Sequence, residues 1–274
     1  MNYGEYARQV GVRATHLKLL DRGSPAHLRH AVEHPDDSDT PTRVWLRAVH
    51  ALALEPAAFR REYSVFEGRR TGKLFKAHRD SHPGTNVLNR REYDSAVAIV
   101  EALYRHPLAS PLLCGSSGES EHNLSWTDLR TQLPCIARLD RWLPDLRVVV
   151  DLKTVGSTAA WTIERMTSQL GWDLQMAHYV AGAEVSEPGA GVLAFLLVVE
   201  AKPPHDVAVY RLAPALMLRA AQRRGELLDW IAECNHSGRW PGRFDVQQTL
   251  ELPAWAPPEI GAEDLDEDLD EEAP

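Results

Sequence analysis

Three polar residues interrupt an apolar stretch near the middle of this 274-residue chain: Asp140, then Asp151 and Lys153, in PCIARLDRWLPDLRVVVDLKT (residues 134–154). Side chains alternate faces along an extended strand, so Asp151 and Lys153, two apart, share a face. A carboxylate at the end of the run Val148-Val149-Val150 is costly to desolvate unless a metal, a hydrogen bond or a counter-charge offsets the cost. Two carboxylates and a lysine converging on one face have the chemistry of a divalent-metal site with a nearby cation. A surface salt bridge between Asp151 and Lys153 explains so short a pattern equally well, and on these residues alone the two readings stand level.

The element that must position these groups is a hairpin. Apolar and β-branched residues flank Pro144-Asp145, predicting strands from Cys135 to Trp142 and from Leu146 to Lys153 with a turn between them. Asp140 falls near the end of the first strand, and Asp151 and Lys153 near the end of the second.

This Asp, then Asp-x-Lys order resembles the PD-(D/E)xK nuclease superfamily. Other segments narrow the resemblance. Leu19-Leu20 with Ser24-Pro25-Ala26-His27, then Ala48-Val49-His50-Ala51-Leu52 with Leu54-Glu55-Pro56, and next Phe59 and Tyr63, resemble the N-terminal part of the RecE-type exonuclease (exonuclease VIII) family. The segment from Glu119 to Asp128 resembles that family's E-x-S-x-x-W-x-D strand. Five residues before Trp126 stands Glu121, and Glu119 is an alternative because a two-residue slip keeps the same face. Gln175 and Tyr179, four apart on one helix face, match the Q-x-x-x-Y element of RecB- and RecE-like nucleases. The chain departs from relatives at Leu46, where glycine is frequent, and at Asp173, where histidine is common.

The resemblance implies an α/β fold: a PD-(D/E)xK nuclease core, a mixed central sheet flanked by helices, with an N-terminal helical elaboration. The expected divisions are 1–110 for the helical part, 111–258 for the catalytic core and 259–274 for an acidic, disordered tail. It further implies Asp140, Asp151, Lys153 and Glu121 as catalytic residues. His50, Asp140, Asp151 and the Leu152 carbonyl would hold Mg²⁺ or Mn²⁺. Taken alone, His50 on an apolar helix reads as a core histidine; the family pattern reverses that preference. Ser24, Gln175, Tyr179, Arg69 and Arg70 would bind substrate. The implied activity is 5′-to-3′ digestion of linear double-stranded DNA from its ends, leaving 3′ single-stranded tails. A homo-oligomeric ring and a single-strand annealing protein are the implied partners. An endonucleolytic or phage-defence enzyme and a catalytically silent DNA-binding relative are the competing readings. The silent one is disfavoured by the presence of Asp140, Asp151 and Lys153 together.

Composition bounds these readings. At 44% hydrophobic residues the chain can bury a sizeable core, and no apolar run approaches the ~20 residues of a membrane span. The N-terminus lacks the pattern of a signal peptide, so a cytoplasmic protein is expected. Cys114, Cys135 and Cys234 are odd in number and widely spaced, which points to buried thiols rather than a disulfide framework or zinc site. The net charge of −9 argues against a polyanionic partner until its distribution is considered. Eight acidic residues lie between Glu263 and Glu272, and removing their charge leaves the body at −1. Basic clusters at Arg60-Arg61, Arg69-Arg70 with Lys73, Arg90-Arg91 and Arg223-Arg224 could then meet phosphates, although any single pair serves equally as a solvated face. The acidic tail would compete with DNA, bind a basic partner or simply solubilise the chain.

Along the chain, helical spacing is predicted over Tyr3 to Leu20, from Ser24 onward with that serine as N-cap, and over Arg43 to Leu54. Residues 60–90 read as loop with a short helix, and Arg90 to Tyr104 as helix. Helices at Ser157 to Gly171 and Asp173 to Val185 precede strands at Gly191 to Ala201 and Asp206 to Leu212. A helix from Pro214 to Cys234 is followed by coil from Pro241 to Pro258.

Overall fold

A computed structural model describes residues 9–35, 39–115, 118–189, 191–244 and 247–250. The chain divides into two units, Met1–Gly242 and Arg243–Pro274. The described part of the second unit has no regular secondary structure, and the acidic tail at 259–274 lies outside the described residues.

The predicted hairpin is present as β4 (Pro134–Leu143) and β5 (Val148–Val155), joined by a 3₁₀ turn at Pro144–Leu146. Together with β3 (Glu119–Thr127), β6 (Leu193–Glu200) and β7 (Val207–Arg211) they form a five-stranded sheet in the order β3-β4-β5-β6-β7. Only the β5–β6 pair is parallel, so the sheet is mixed. The crossover between them runs through α8 (Ala160–Leu170) and α9 (Trp172–Ser186). β6, LAFLLVVE, lies between two strands and buries residues of both parities, which accounts for its continuous apolar composition.

Alternation along β5 sorts its side chains between two cores. Val148, Val150 and Leu152 enter the core shared with α3 (Pro41–Leu54), α6 (Arg90–Arg105) and α7 (Ala109–Cys114). Val149 and Val155 enter the opposite core, built from α1 (Ala14–Arg22), α2 (Pro25–Glu33), α8, α9 and α10 (Pro214–Ser237). Asp151 and Lys153 have the parity of Val149 and Val155, so they face α9. That helix is buried at positions all round its axis, including Trp172, Leu174, Met176, His178 and Tyr179, as befits a helix covered on several sides. Its Gly182 lies against Trp126 of β3, where an added Cβ would come within 2.7 Å of the ring.

Several elements differ from the sequence-based expectations. Of the helix expected from Tyr3 to Leu20, the start lies outside the described residues; among the described residues the first helix begins at Ala14, because Val12 is extended and bridges Cys135: Val12 N donates to Pro134 O (2.8 Å) and Ile136 N to Val12 O (2.9 Å). Residues 60–90 hold the expected short helix but more regular structure around it than a loop. They hold the end of α4 (Pro56–Glu62), then β1 (Tyr63–Phe66), α5 (Gly72–Ser81) and β2 (Asn86–Asn89), with β1 and β2 paired in parallel. Four-residue strands show too little alternation to stand out among basic residues. Cys135 and Cys234 are buried as expected, but Cys114 is exposed because it ends α7 at the surface.

A buried polar network fastens α9 to the sheet and to α10. His178, fully buried, donates through Nε2 to Ile136 O (3.1 Å) and accepts at Nδ1 from Arg224 Nε (3.3 Å). Arg224 also reaches Asp128 Oδ2 at 3.2 Å. Burial, then the Arg224 charge, depress the His178 pKa to about 3, so it is neutral in the fold and takes up a proton only on unfolding. Its contribution to stability is therefore complete above its ordinary value near 6.5 and is lost as pH falls from there toward 3. Urea titrations should show the stability difference between the wild type and His178→Gln shrinking by about 2 kcal/mol between roughly pH 7.5 and pH 5. A pH-independent difference would refute the neutral-histidine account.

Candidate active site

The site opens where two paired strands part. The β4–β5 ladder runs through Leu143↔Val148, Trp142↔Val149 and Arg141↔Val150 and stops there. One step further the same register would set Asp140 opposite Asp151. Instead Leu152 N donates to Asp140 Oδ2 at 2.8 Å, so a side chain replaces the strand partner. In an extended strand the N–H and C=O of one residue point to the same side, which turns the Leu152 carbonyl toward the same gap.

Asp140 meets two residues from other elements. His50, on α3, brings Nδ1 to 3.6 Å from Asp140 Oδ2. Glu121, on β3, lies between the pairs Ser120↔Arg141 and His122↔Leu139, across from Asp140. Ligand atoms of His50, Glu121 and Asp140 all lie within 4.8 Å of one another. Glu119 is not part of this group; its carboxylate contacts His122 Nδ1 at 2.6 Å on the exposed side of β3.

Glu121 adopts φ +50° inside a strand, a conformation that costs a residue with a side chain about 1–3 kcal/mol and persists only where the surroundings enforce it. The enforcing contact is Arg138, whose Nε donates to Glu121 Oε2 and whose guanidinium also lies 3.3 Å from Glu55 Oε2. Glu55 ends α3, five residues after His50. Arg138 thus ties the ends of two elements that carry cluster residues.

Burial, then the charge of Asp140, push the Glu121 carboxyl up to about 7 despite the opposing Arg138. Asp140 is also raised, first by burial and then by Asp151, while His50, Lys153 and the Leu152 N–H oppose the shift. Crowded carboxylates whose ionised forms are disfavoured are what a bound cation relieves. The donor set of carboxylate oxygens, one backbone carbonyl and one imidazole fits a hard divalent ion such as Mg²⁺, with the imidazole inclining it to Mn²⁺. The spread of the three ligand atoms is compatible with one ion at bonds of about 2–2.6 Å.

Asp151 and Lys153 stand beside this group. Asp151 is 1% exposed and accepts from Gln175 Nε2 at Oδ1 (2.8 Å). Lys153 Nζ lies 2.5 Å from its Oδ2, an ion-pair contact whose angles fall outside those of a hydrogen bond. The same Gln175 amide donates to Tyr179 OH (2.8 Å), so the predicted Q-x-x-x-Y pair is joined and faces Asp151. Lys18 Nζ donates to Gln175 Oε1 at 2.5 Å, and Lys153 Nζ lies 5.6 Å from the centroid of the Trp172 ring. Burial, then the charge of Lys153, lower Lys18 to about 8.

Other predicted residues are not joined to the cluster. Ser24 is fully buried, where its hydroxyl caps α2 by accepting from His27 N and lies 2.7 Å from His27 Nδ1. Arg69 and Arg70 lie between β1 and α5, and Arg70 pairs with Glu92. Three contributors were not assigned roles from the sequence. Lys18 falls in an amphipathic segment where lysine reads as solvated. Arg138 is two residues before Asp140, and shared strand parity is the signal that could have found it. Glu55 appeared only as part of a helix-ending motif.

A five-stranded mixed sheet whose central hairpin parts at two aspartates, with Asp151-x-Lys153 on the second strand, defines a nuclease-like fold of the PDDEXK class. Residues 14–250 match the family of PDDEXK-like domains of unknown function (DUF3799), and the chain belongs to that family. Among solved structures, a candidate exonuclease from Eubacterium rectale is similar at 12% identity and a TM-score of 0.63, over 92% of this chain and 93% of that one. At that identity the likeness establishes a shared fold. A phage-related exonuclease from Haemophilus somnus 129PT overlaps 86% of this chain and 100% of its own at 10% identity, with a TM-score of 0.37 too low to bear on the fold. No curated protein shows significant similarity to the sequence. Among the described residues, no helix is long and apolar enough to cross a membrane.

Mg²⁺ or Mn²⁺ should raise the melting temperature, and Asp140→Asn should abolish that rise. Because Glu121 sits near 7 and must be ionised to ligate, apparent Mn²⁺ affinity should fall by up to about tenfold per pH unit on acidification below about 7. Calorimetric titration from about pH 8 to about pH 6 measures this; an affinity flat across that range would remove Glu121 from the ligand set.

Proposed function

We propose that the chain is a metal-dependent exonuclease that digests linear double-stranded DNA from 5′ to 3′ and leaves 3′ single-stranded tails for recombination. The observation that supports this best is the juxtaposition of the His50, Glu121 and Asp140 group with the Asp151–Lys153 pair at the point where β4 and β5 separate. Hydrolysis of a phosphodiester joins a water oxygen to phosphorus and breaks the bond to the leaving sugar oxygen. A bound divalent ion would supply Lewis-acid stabilisation of the charge that develops on the phosphoryl oxygens. His50, Glu121 and Asp140, with the Leu152 carbonyl, would hold it; Asp151, expected from the sequence among the ligands, has its oxygens engaged by Gln175 and Lys153 and takes a place beside the ion, and Glu121 takes its place in the set. Asp151 completes the acidic wall and fixes the ammonium of Lys153.

Lys153 is the group suited to orient the attacking water and to stabilise the developing negative charge, since its ammonium is already held against Trp172 and Asp151. Gln175, locked by Tyr179 and Lys18, keeps Asp151 from turning away. None of these side chains has to form a covalent intermediate. On the same reading the chain works as a homo-oligomeric ring and hands its single-stranded product to an annealing protein; light scattering of the purified protein tests the ring.

Lys153→Ala and Asp151→Asn should each lower cleavage by about 10²-fold or more with the fold retained. His50→Ala should lose activity in Mg²⁺ and regain part of it at high Mn²⁺. Duplexes labelled separately at the 5′ and 3′ ends, incubated with Mg²⁺, Mn²⁺ or EDTA, report the direction of digestion. Cleavage of closed circular DNA would replace the exonuclease by an endonuclease, and near-normal hydrolysis by both the Lys153 and Asp151 variants would sink the assignment of the site.

A further inference from the structure

Residues 60–91 reverse the charge of the chain locally: nine Lys and Arg stand against three Asp and Glu, in a protein of net −9. Part of this charge is neutralised, since Arg61 pairs with Glu62, Arg70 with Glu92, and Arg90 with Glu67 and Asp94. Arg60, Arg69, Lys73, Lys76, Arg79 and Arg91 form no ion pair with a described residue, and all are exposed.

Three of these cations lie on α5, which has no fully buried residue and only Phe75 and His78 half-buried. The helix is fastened along one side, where Phe75 packs on Phe66 at 5.5 Å between ring centroids. On that same side His78 lies 5.2 Å from the Phe66 ring and places Nε2 3.1 Å from Ser64 Oγ. At about 100° per residue, Lys73, Lys76 and Arg79 spread over roughly 120° of the helix surface, with Lys73 and Lys76 turned away from the fastened side and Arg79 at its edge, next to Phe75. Asp80 falls in the same arc and offsets one charge.

A ten-residue helix without a buried residue is not held by core packing, so its sequence is free to serve a surface purpose. The segment is nonetheless tied to the active site. α4 runs from the end of the His50 helix directly into β1, and Trp45 Nε1 on that helix donates to Glu92 O (3.0 Å) in the first turn of α6, beside Arg90 and Arg91.

We propose that α5, with Arg69 and Arg91 flanking it, is an arm that grips the sugar-phosphate backbone of duplex DNA and holds it for the cleavage centre. This rests on the nuclease reading above and adds the surface that takes the substrate. From Lys73 to Arg79 the helix rises about 9 Å, enough to meet two or three phosphates of a duplex. The arm carries no exposed Phe, Tyr or Trp on which unpaired bases could stack, so the contacts are phosphate contacts and indifferent to sequence.

The test is duplex binding by the full chain in Ca²⁺ over roughly 50–200 mM salt, comparing the wild type with the triple variants K73E/K76E/R79E and K73Q/K76Q/R79Q. The slope of log affinity against log salt should shrink by about 2–3 in the glutamine variant, close to 0.9 for each phosphate no longer neutralised. The glutamate variant should bind still more weakly. Turnover at saturating DNA should stay at the wild-type level while KM rises, and the melting temperature should be unchanged because the three replaced side chains are exposed and form no ion pair with a described residue. Wild-type cleavage with an unaltered salt slope and KM in both variants would overturn the arm, as would a loss confined to single-stranded oligonucleotides. If the variants lose salt-dependent duplex binding but the wild type hydrolyses no DNA, the arm stands and the nuclease reading fails instead.

Discussion

A carboxylate that is 1% exposed, Asp151, sets the conditions for the residues around it. Its charge can stay in the interior only if it is compensated on every side, and each compensating group comes from a different part of the chain. Lys153 follows it on β5, Gln175 reaches across from α9, and Lys18 on α1 holds Gln175 by its carbonyl oxygen. The hydrophobic burial of α9 around its whole circumference is what makes this chain of contacts rigid. A helix exposed on one face could rotate and release Gln175; one packed on all sides cannot.

The other half of the site is governed by crowding of like charge. Asp140 raises the pKa of Glu121 and Asp151 that of Asp140, and Arg138 offsets part of the cost at Glu121 by bridging it to Glu55. The left-handed backbone at Glu121 has the same origin, because regular alternation has to give way for its carboxylate to join His50 and Asp140. Strain and repulsion concentrated at one point, with an arginine to contain them, are a poor arrangement for stability alone. They become useful when a divalent ion shares the oxygens.

Much of this could be read from the sequence, and the reason is periodicity. The hairpin, the two long helices after it and the buried strand at Leu193–Glu200 carry apolar patterns long enough to identify. The shared face of Asp151 and Lys153 follows from strand geometry alone, and the four-residue spacing of Gln175 and Tyr179 from helix geometry. What stayed hidden has no periodic signature. The parallel pair β1–β2 consists of two four-residue strands, and its partners are brought together by tertiary packing. Nothing local links Lys18 to the Gln175 amide or Arg138 to the Glu121 carboxylate, which lie 157 and 17 positions away. The extended stretch ahead of Ala14 was invisible too, since it depends on Val12 joining Cys135.

That bridge also explains why the N-terminal helices cannot be regarded as an accessory to the sheet. Val12 pairs with β4 just ahead of α1, fixing where Lys18 enters the space above α9. α3 contributes His50 to one side of the opening between β4 and β5, and Glu55 at its end anchors the arginine that holds Glu121. The central sheet by itself supplies Asp140, Asp151, Lys153 and Glu121, a set of three carboxylates and one ammonium with no imidazole and no support for Gln175. The helices convert that set into a closed array in which every charge has a partner on another element. The site is therefore a property of the whole Met1–Gly242 unit, and loosening any of its three contributing layers should disturb all of it.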